Sequence, residues 1–220
     1  KVPKRFCSIP KVLEIKTTEQ LSAEDYLFIP KIKTDSSIKT IDNVWGIYSH
    51  MGVTAKKIST IALNEEIMWL FGMYLAEGNS YRGGINFSLN SKETLYANRI
   101  KSIIETQLGL PVVIDNNIPG RRHSLSVRCS STELEHIFVG LFGKYSHLKK
   151  MPEYFLRLES PLQRSIMNGI LDGDGIKSST SPTGYTGIVL TSNELIRQLR
   201  QICVNLEVLL TTSQHPSRTG

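Results

Sequence analysis

Two stretches of the chain carry apolar residues at helical spacing and then end in an acid followed by a glycine. The first reads LFGMYLAEG over residues 70–78, and the second reads MNGILDGDG over residues 167–175. Apolar residues that recur at three- and four-residue intervals indicate a helix that packs against other elements. The matched positions, at a constant offset, are Gly72 with Gly169, Ala76 with Gly173, and Glu77 with Asp174. The chain therefore contains an internal repeat.

The similarity between the two copies continues downstream of these helices. Residues 84–90 and 187–193 correspond to each other, and the first alternates between apolar and polar positions as a strand does. An amphipathic helix follows in each copy, and Gly109 is expected to end the first of these. The predicted later elements are helices over 95–108 and 195–206 and strand-like runs over 111–114 and 209–212.

The first copy extends further than the second. A turn at 118–122 leads into an alternating run at 123–129, which predicts a strand, and a helix follows at about 132–142. One complete unit is thus helix, two strands, helix, two strands, helix. This order predicts the α+β class, with antiparallel sheets and two packed central helices.

These units divide the chain into three predicted regions. Residues 1–60 lie outside the repeat and form an N-terminal extension, residues 61–158 form the first repeat, and residues 159–220 form the second. The second copy stops before its last elements, so we expect it to be incomplete at its C-terminus, with the remainder supplied elsewhere.

Small residues lie four positions apart on each of the two repeated helices. That spacing puts them on one face, where they allow two helix backbones to approach closely. Each small-residue pair alone is typical of packing, and an Asp-Gly run alone is typical of a turn. Because the whole pattern of small residues, acid and glycine occurs twice, we expect the two helices to pack face to face.

The acids Glu77 and Asp174 come directly after these packing faces, at the C-terminal ends of the helices. There the negative helix end and the second carboxylate both oppose ionisation. A divalent cation removes this conflict, since Mg²⁺ prefers carboxylate and carbonyl oxygens. Metal ions flanked by carboxylates recur in phosphodiester hydrolysis. We therefore predict a Mg²⁺ site, for which Ca²⁺ or Mn²⁺ can substitute, at Glu77, Asp174 and the carbonyls of Ala76 and Gly173.

Composition narrows the class of partner. The 220 residues include 26 basic and 20 acidic side chains, for a net charge of +6. A positive surplus favours a polyanion such as DNA, although many ordinary proteins are equally basic. The three cysteines lie far apart, which argues against a zinc knuckle or a disulfide framework. We expect no membrane partner, no secretion signal and an intracellular setting, in the cytoplasm or an organelle.

The two motif helices resemble those of the LAGLIDADG family of homing endonucleases, and the resemblance covers roughly residues 62–220. It implies paired αββαββα units related by pseudo-twofold symmetry, each placing a curved antiparallel sheet in the DNA major groove. It also implies that Glu77 and Asp174 bind divalent metal at a scissile phosphate. The expected activity is a double-strand break in a long double-stranded DNA target, made by a monomer.

Residues 18–30 carry a second resemblance, to the end of an intein's N-terminal splicing segment. Inteins commonly host endonucleases of this family, so an intein origin and intron homing both stay open. The chain does not begin with Cys or Ser, and it ends at Gly220 without a His-Asn pair. We therefore expect no protein splicing from this chain.

Strand alternation assigns a DNA-facing side to the predicted sheet. Ile85, Phe87 and Leu89 are expected to pack inward, as are Leu125 and Val127. Arg can read guanine and Asn can read adenine through paired hydrogen bonds. The predicted DNA-binding residues are Arg82, Asn86, Ser88, Asn90, Arg121, Arg122, His123, Ser124, Ser126, Arg128, Lys177, Ser178, Thr180 and Thr191. The second copy has Val189 in the position of Asn86, which predicts an asymmetric target.

The resemblance further implies a lysine near each active site. The place expected for it, just past residues 123–129, holds Ser130 and Ser131. Lys92, Lys149 and Lys150 are alternatives that the sequence does not rank. A second hypothesis therefore stands beside the nuclease: a non-cleaving DNA-binding regulator or an RNA-splicing maturase of the same fold.

Overall fold

The computed structural model describes residues 14–22, 25, 29–45, 57–116, 123–178, 185–208 and 210–213. It divides into two compact units, Lys1–Pro30 and Lys31–Gly220. The described part of the first unit contains one 3₁₀ turn, Thr18–Gln20, and an ion pair of 2.7 Å between Lys16 and Asp25. The helices and strands discussed below lie in the second unit.

The second unit combines helices with short antiparallel sheets. Its described α-helices are α1 (Glu65–Glu77), α2 (Thr94–Ile103), α3 (Thr132–Phe142), α4 (Ser160–Asp174) and α5 (Asn193–Asn205). Its described strands are β1 (Thr40–Asp42), β2 (Thr60–Ala62), β3 (Gly78–Tyr81), β4 (Gly84–Asn90), β5 (Val113–Asp115), β6 (Ser124–Cys129), β7 (Gly175–Ser178) and β8 (Tyr185–Ile188). The predicted α+β class with antiparallel sheets is confirmed.

Three sheets are formed by these strands, with orders β1-β2, β3-β4-β6-β5 and β7-β8. Along the chain, α1 to α3 with β3 to β6 follow the predicted order of helix, two strands, helix, two strands, helix. We call these elements the first half. The second half, α4, β7, β8 and α5, repeats the first four elements of that order.

Helix α1 forms where the sequence predicts it. The Asn64 side chain accepts a hydrogen bond from the Ile67 amide at 3.0 Å and so caps the helix, and Glu65 and Glu66 lie in its first turn. All residues of α1 from Ile67 to Leu75 are buried, because helices and sheet surround it. It is therefore the central helix of the core.

Helices α1 and α4 touch backbone to backbone through their glycines. An added Cβ on Gly72 would lie 2.2 Å from the Ile166 carbonyl oxygen, and one on Gly169 would lie 2.1 Å from the Trp69 carbonyl oxygen. No side chain fits at either position, since real Cβ contacts are longer than 3 Å. The predicted face-to-face packing of the two motif helices is confirmed.

The helix after β4 continues past α2 as one π-helical turn, Ile104–Leu108. It ends at Gly109, whose φ of 62° is left-handed and favours glycine. The predicted helix over 95–108 and its glycine stop are therefore confirmed.

The second half departs from its predicted strands in two places. Strand β8 ends at Ile188, and Ser192 instead caps α5, so residues 189–193 are not part of a strand. The predicted strand over 209–212 is also wrong for residues 210–212, while residue 209 lies outside the described part. A strand persists only where a neighbour takes its backbone hydrogen bonds. Within the described ranges β5 has such a neighbour in β6, and residues 210–212 have none.

The backbone contact at Gly72 and Gly169 predicts that one added methyl group strongly destabilises the fold. Gly169→Ala is expected to lower the free energy of unfolding by about 3 kcal/mol, because the α1 and α4 backbones must separate to admit the Cβ. The measurement is urea unfolding followed by circular dichroism. Asn168→Ala, at the exposed neighbouring position of α4, should change it by less than about 0.5 kcal/mol. Equal effects of the two substitutions would contradict the backbone contact.

Candidate active site

The two repeated acids are the last residues of the two packed helices. Helix α1 ends at Glu77 and α4 ends at Asp174. The glycine contact brings these helix ends together, since an added Cβ on Gly173 would lie 2.5 Å from the Ala76 Cβ and 3.2 Å from the Glu77 Cγ. Both acids are half-buried. The fold therefore places two carboxylates side by side at one end of the central helix pair.

Lys149 brings a buried positive charge to the same place. Lys149 is only 5% exposed. Its ammonium donates to the carbonyls of Tyr74 at 2.6 Å, Leu75 at 3.0 Å and Gly78 at 2.7 Å. These carbonyls belong to the last turn of α1 and to its cap residue, Gly78, whose own amide donates to the Tyr74 carbonyl. The ammonium has three donors and meets three acceptors.

The structure thereby ranks the three candidate lysines. Lys92 and Lys150 are exposed, whereas Lys149 is buried against α1. Sequence reasoning sought the lysine directly after β6, but Lys149 follows the next helix, α3. No local signal distinguishes Lys149 from the adjacent Lys150, because only the fold decides which of the two points inward.

Burial dominates the electrostatics of this cluster. It raises the pKa of Glu77 to about 7, assisted by the charges of Asp174 and Glu93 and opposed by Lys149. Burial likewise raises the pKa of Asp174, and Lys149 again opposes it. The pKa of Lys149 falls to about 8 because of its burial, although both acids act against that fall. One ammonium therefore compensates the two carboxylates only in part.

The donor set fits a divalent cation that binds together with a phosphate. Within the described ranges, no group of three or more His, Cys, Asp or Glu side chains converges on one point. The protein oxygens predicted for it are the carboxylates of Glu77 and Asp174 and the carbonyls of Ala76 and Gly173. Mg²⁺ is often held by one or two carboxylates, with water and substrate phosphates completing its shell. The arrangement is thus an open site and not a closed protein cage.

Asp172, two residues before Asp174, ties the two halves together. Its carboxylate accepts hydrogen bonds from the Trp69 indole at 2.8 Å and from the Tyr96 hydroxyl at 3.2 Å. The guanidinium of Arg99 lies 3.9 Å from the centre of the Trp69 ring. Asp172 therefore connects α4 to α1 and α2.

The four-stranded sheet has the two faces that the alternation predicts. Ile85, Phe87 and Leu89 are buried on the inner face of β4, and Leu125 and Val127 are buried on β6. On the other face, cross-strand neighbours pair amides and hydroxyls with one another and with a guanidinium. These pairs are Asn86 with Arg128, Ser88 with Ser126, and Asn90 with Ser124.

Hydrogen bonds order part of this polar face. The Ser126 hydroxyl donates to the Asn86 amide oxygen, and the Asn86 amide nitrogen donates to Ser88 at 3.2 Å. Arg128 forms an ion pair of 2.8 Å with Asp115. Ser126 is itself buried in the middle of the sheet, which is deeper than the outward position predicted for it. The face thus presents a fixed row of donors and acceptors.

The remaining predicted DNA-binding residues lie in turns of the first half, in the second half or outside the described ranges. Arg82 and His123 are exposed in turns, and Thr191 is exposed between β8 and α5. Lys177 and Ser178 belong to β7 by their backbone. Arg121, Arg122 and Thr180 lie outside the described residues.

The register of β7 and β8 corrects one correspondence between the copies. Gly78 pairs with Phe87 in the first half, and Gly175 pairs with Ile188 in the second. Phe87 and Ile188 are therefore equivalent positions. The residues directly before them are Asn86 and Gly187, so Asn86 corresponds to Gly187 and not to Val189. The sequence alone does not reveal this correspondence, because the connection between β7 and β8 differs in length from that between β3 and β4.

A small cavity of about 180 Å³ lies beside Asp174. Its lining includes Lys149, Asp174, Thr191 and Ser192.

No helix in the described part of the chain is long and apolar enough to cross a membrane.

Comparison with known proteins gives partial matches. No protein-family model matches the chain. An uncharacterised protein of Methanocaldococcus jannaschii is 30% identical over 159 residues, which are 70% of this chain and 18% of that protein. The RNA polymerase subunit Rpo1C of the same organism is 29% identical over 117 residues, which are 53% of this chain and 13% of that subunit. The chain thus spans less than a fifth of the length of either relative.

Solved structures with a similar arrangement include two LAGLIDADG proteins. The homing endonuclease I-DmoI in complex with DNA and Mn is 17% identical, with a TM-score of 0.49, over 70% of this chain and 84% of that one. The N-terminal LAGLIDADG domain of WhiA is 21% identical, with a TM-score of 0.41, over 63% of each chain.

Because the pKa of Glu77 is raised, replacing Glu77 by a neutral residue should stabilise the fold by an amount that depends on pH. The folded state holds the Glu77 proton up to about pH 7, whereas the unfolded state releases it near 4.5, so ionisation destabilises the fold as pH rises between these values. Glu77→Gln is therefore expected to raise the metal-free unfolding free energy by about 2 kcal/mol at pH 8 and to leave it nearly unchanged at pH 4. Thermal and urea unfolding at both pH values measure this difference.

Glu65→Gln is the matched control, since Glu65 is exposed at the opposite end of α1. It removes an acid from the favourable N-terminal end of the helix and should give no gain at pH 8. An equal gain from both substitutions would mean that net charge, and not burial of Glu77, controls stability.

Proposed function

We propose that this chain is a site-specific, divalent-metal-dependent DNA endonuclease of the LAGLIDADG type, acting in homing. The observation that carries the proposal is the pair of acids at the ends of two helices in backbone contact. Glu77 and Asp174 would hold the metal with the carbonyls of Ala76 and Gly173, and Mg²⁺ would be the natural ion. A structural design has no use for two half-buried carboxylates beside each other, since their mutual repulsion lowers stability.

Each group of the cluster has a part in phosphodiester hydrolysis. When bound, the metal supplies Lewis-acid stabilisation of the phosphate and lowers the pKa of a coordinated water. Glu77 and Asp174 would hold the ion, and their unequal side-chain lengths would make the sites for the two DNA strands inequivalent. Lys149 has its three donors taken by carbonyls, so it contributes charge: its ammonium offsets negative charge that develops at the phosphate.

The polar face of the four-stranded sheet would read the DNA major groove. Asn86 and Asn90 suit adenine and Arg128 suits guanine, because each can make two hydrogen bonds to its base. Arg82 and His123, in turns of the first half, and Lys177, in the second half, would contact phosphates. The second half has Gly187 in the position of Asn86, which removes a base-reading side chain and supports an asymmetric target.

The lengths of the relatives support a homing element. Over half of this chain matches less than a fifth of each of two longer proteins, one of them an RNA polymerase subunit. An endonuclease that is encoded within an intein, or otherwise inserted, would be found as a segment inside different proteins. Residues 18–30, which resemble part of a splicing segment, agree with this origin.

Cleavage of a randomised DNA library with Mg²⁺ tests the nuclease directly. Wild type should cut both strands of one long asymmetric site, and Glu77→Gln or Asp174→Asn should reduce the rate by about 1,000-fold, as losses of this kind of charge stabilisation do. Both variants should still bind the selected site in Ca²⁺. Glu65→Gln, at the far end of α1, should cut at the wild-type rate.

Three other outcomes would contradict parts of the proposal. Tight binding of one long site without cleavage by wild type would favour the regulator, and preference for a structured RNA would favour the maturase. Wild-type cleavage rates in both acid variants would mean that the metal site lies elsewhere.

Base reading by the sheet makes a separate prediction. Asn86→Ala should weaken binding of the selected site by about ten-fold and relax specificity mainly at one base pair, because one paired contact is lost. Competition binding against single-base variants of the site measures both effects. Asn168→Ala, an exposed asparagine on α4, should change neither.

A further inference from the structure

The backbone of residues 149–151 joins the two halves, and α5 holds it. The Ser192 hydroxyl donates to the Lys149 carbonyl at 2.5 Å. The same hydroxyl accepts from the Leu195 amide at 3.2 Å and so caps α5. Because a hydroxyl offers one donor and two acceptor sites, Ser192 makes both hydrogen bonds at once.

Gln198 holds the same segment two residues further on. Its amide oxygen accepts from the Met151 amide at 2.7 Å, and its amide nitrogen donates to the Met151 carbonyl at 2.7 Å. The Lys150 amide donates in the opposite direction, to the Phe142 carbonyl at 3.0 Å. The segment is therefore fixed from both halves, with α5 supplying three of these hydrogen bonds.

Gln198 is unusual on its own helix. It is fully buried among Leu195, Leu199 and Ile202, which form the apolar face of α5. Burying an amide is costly unless both of its ends are hydrogen-bonded. An apolar residue would pack at this position at lower cost, so the amide is explained by what it holds, the Met151 backbone.

The Lys149 side chain extends from this fixed backbone to the other half. Its ammonium reaches the carbonyls at the end of α1, next to Glu77. Ser192 and Gln198 contact neither the ammonium nor the acids through any of these hydrogen bonds. Their effect on the site therefore passes through the backbone of Lys149.

We propose that Ser192 and Gln198 are positioning residues that hold Lys149 against the end of the first motif helix. The second half of the chain thus sets the charge beside the acid of the first half. The structural part of this inference stands alone, whereas its consequence for catalysis rests on the proposed nuclease activity.

Chemical labelling of Lys149 tests the structural part without DNA or metal. The full chain is treated briefly with N-hydroxysuccinimide acetate, and acetylation of Lys149 relative to the exposed Lys150 is measured by mass spectrometry. Ser192→Ala and Gln198→Met should each raise this ratio by about five-fold, because each removes hydrogen bonds that hold the segment and so favours its local opening.

The chain offers a matched control for each substitution. Ser131 caps α3 by accepting from the Leu134 amide at 3.2 Å, so Ser131→Ala removes an equal cap away from Lys149. Gln163 is fully buried and donates to the carbonyls of Leu156 and Leu158, so Gln163→Met removes an equally buried glutamine. Neither control should change the Lys149 ratio. Ser192→Thr, which keeps the hydroxyl, should label like wild type.

Cleavage kinetics then test the catalytic consequence. If the chain is a nuclease, Ser192→Ala and Gln198→Met should lower kcat by about ten-fold with KM for DNA unchanged, because a displaced charge weakens transition-state stabilisation and not DNA binding. Inactive wild type together with the expected labelling would reject the proposed function and keep the positioning role. Equal Lys149 labelling in variants and controls, or Ser192→Thr labelling like Ser192→Ala, would overturn the positioning role.

Discussion

Direct contact between the backbones of α1 and α4 is the constraint on which the rest of the structure depends. There is no room for a Cβ at Gly72 or Gly169, so the backbones of the two helices are in direct contact there. Because the helices are in contact, their C-terminal ends lie close together, and Glu77 lies beside Asp174. The same contact fixes how the two halves stand relative to each other, since β3 begins directly at the end of α1 and β7 directly at the end of α4.

Such a contact concentrates charge where folding alone would avoid it. Burial raises the pKa values of both acids, and Lys149 offsets them only partly. The ammonium of Lys149 also donates to three carbonyls at the end of α1 and its cap. One buried lysine therefore binds the helix end and moderates the carboxylate pair. The other side of α1 packs in an aromatic core that includes Phe71, Tyr74 and Phe138.

The two halves are similar in order but different in chemistry. Asp172 accepts hydrogen bonds from Trp69 and Tyr96, whereas the matching position of the first motif is the buried Leu75. Asn86 on the first sheet has Gly187 as its counterpart on the second. These differences accumulate on a duplicated frame because packing restricts the glycine faces far more than it restricts the surrounding polar positions.

The sequence by itself determined the helix pair, the acids at its end, the caps at Asn64 and Gly109 and the inner face of β4. Each of these follows from periodicity or from a residue with one favourable backbone role, and both are local properties. The tertiary structure alone decided that Lys149 and not Lys150 is buried, that Ser192 and Gln198 hold it, and that Gly187 matches Asn86. These depend on contacts between residues distant in the chain and on strand register, which no local pattern encodes.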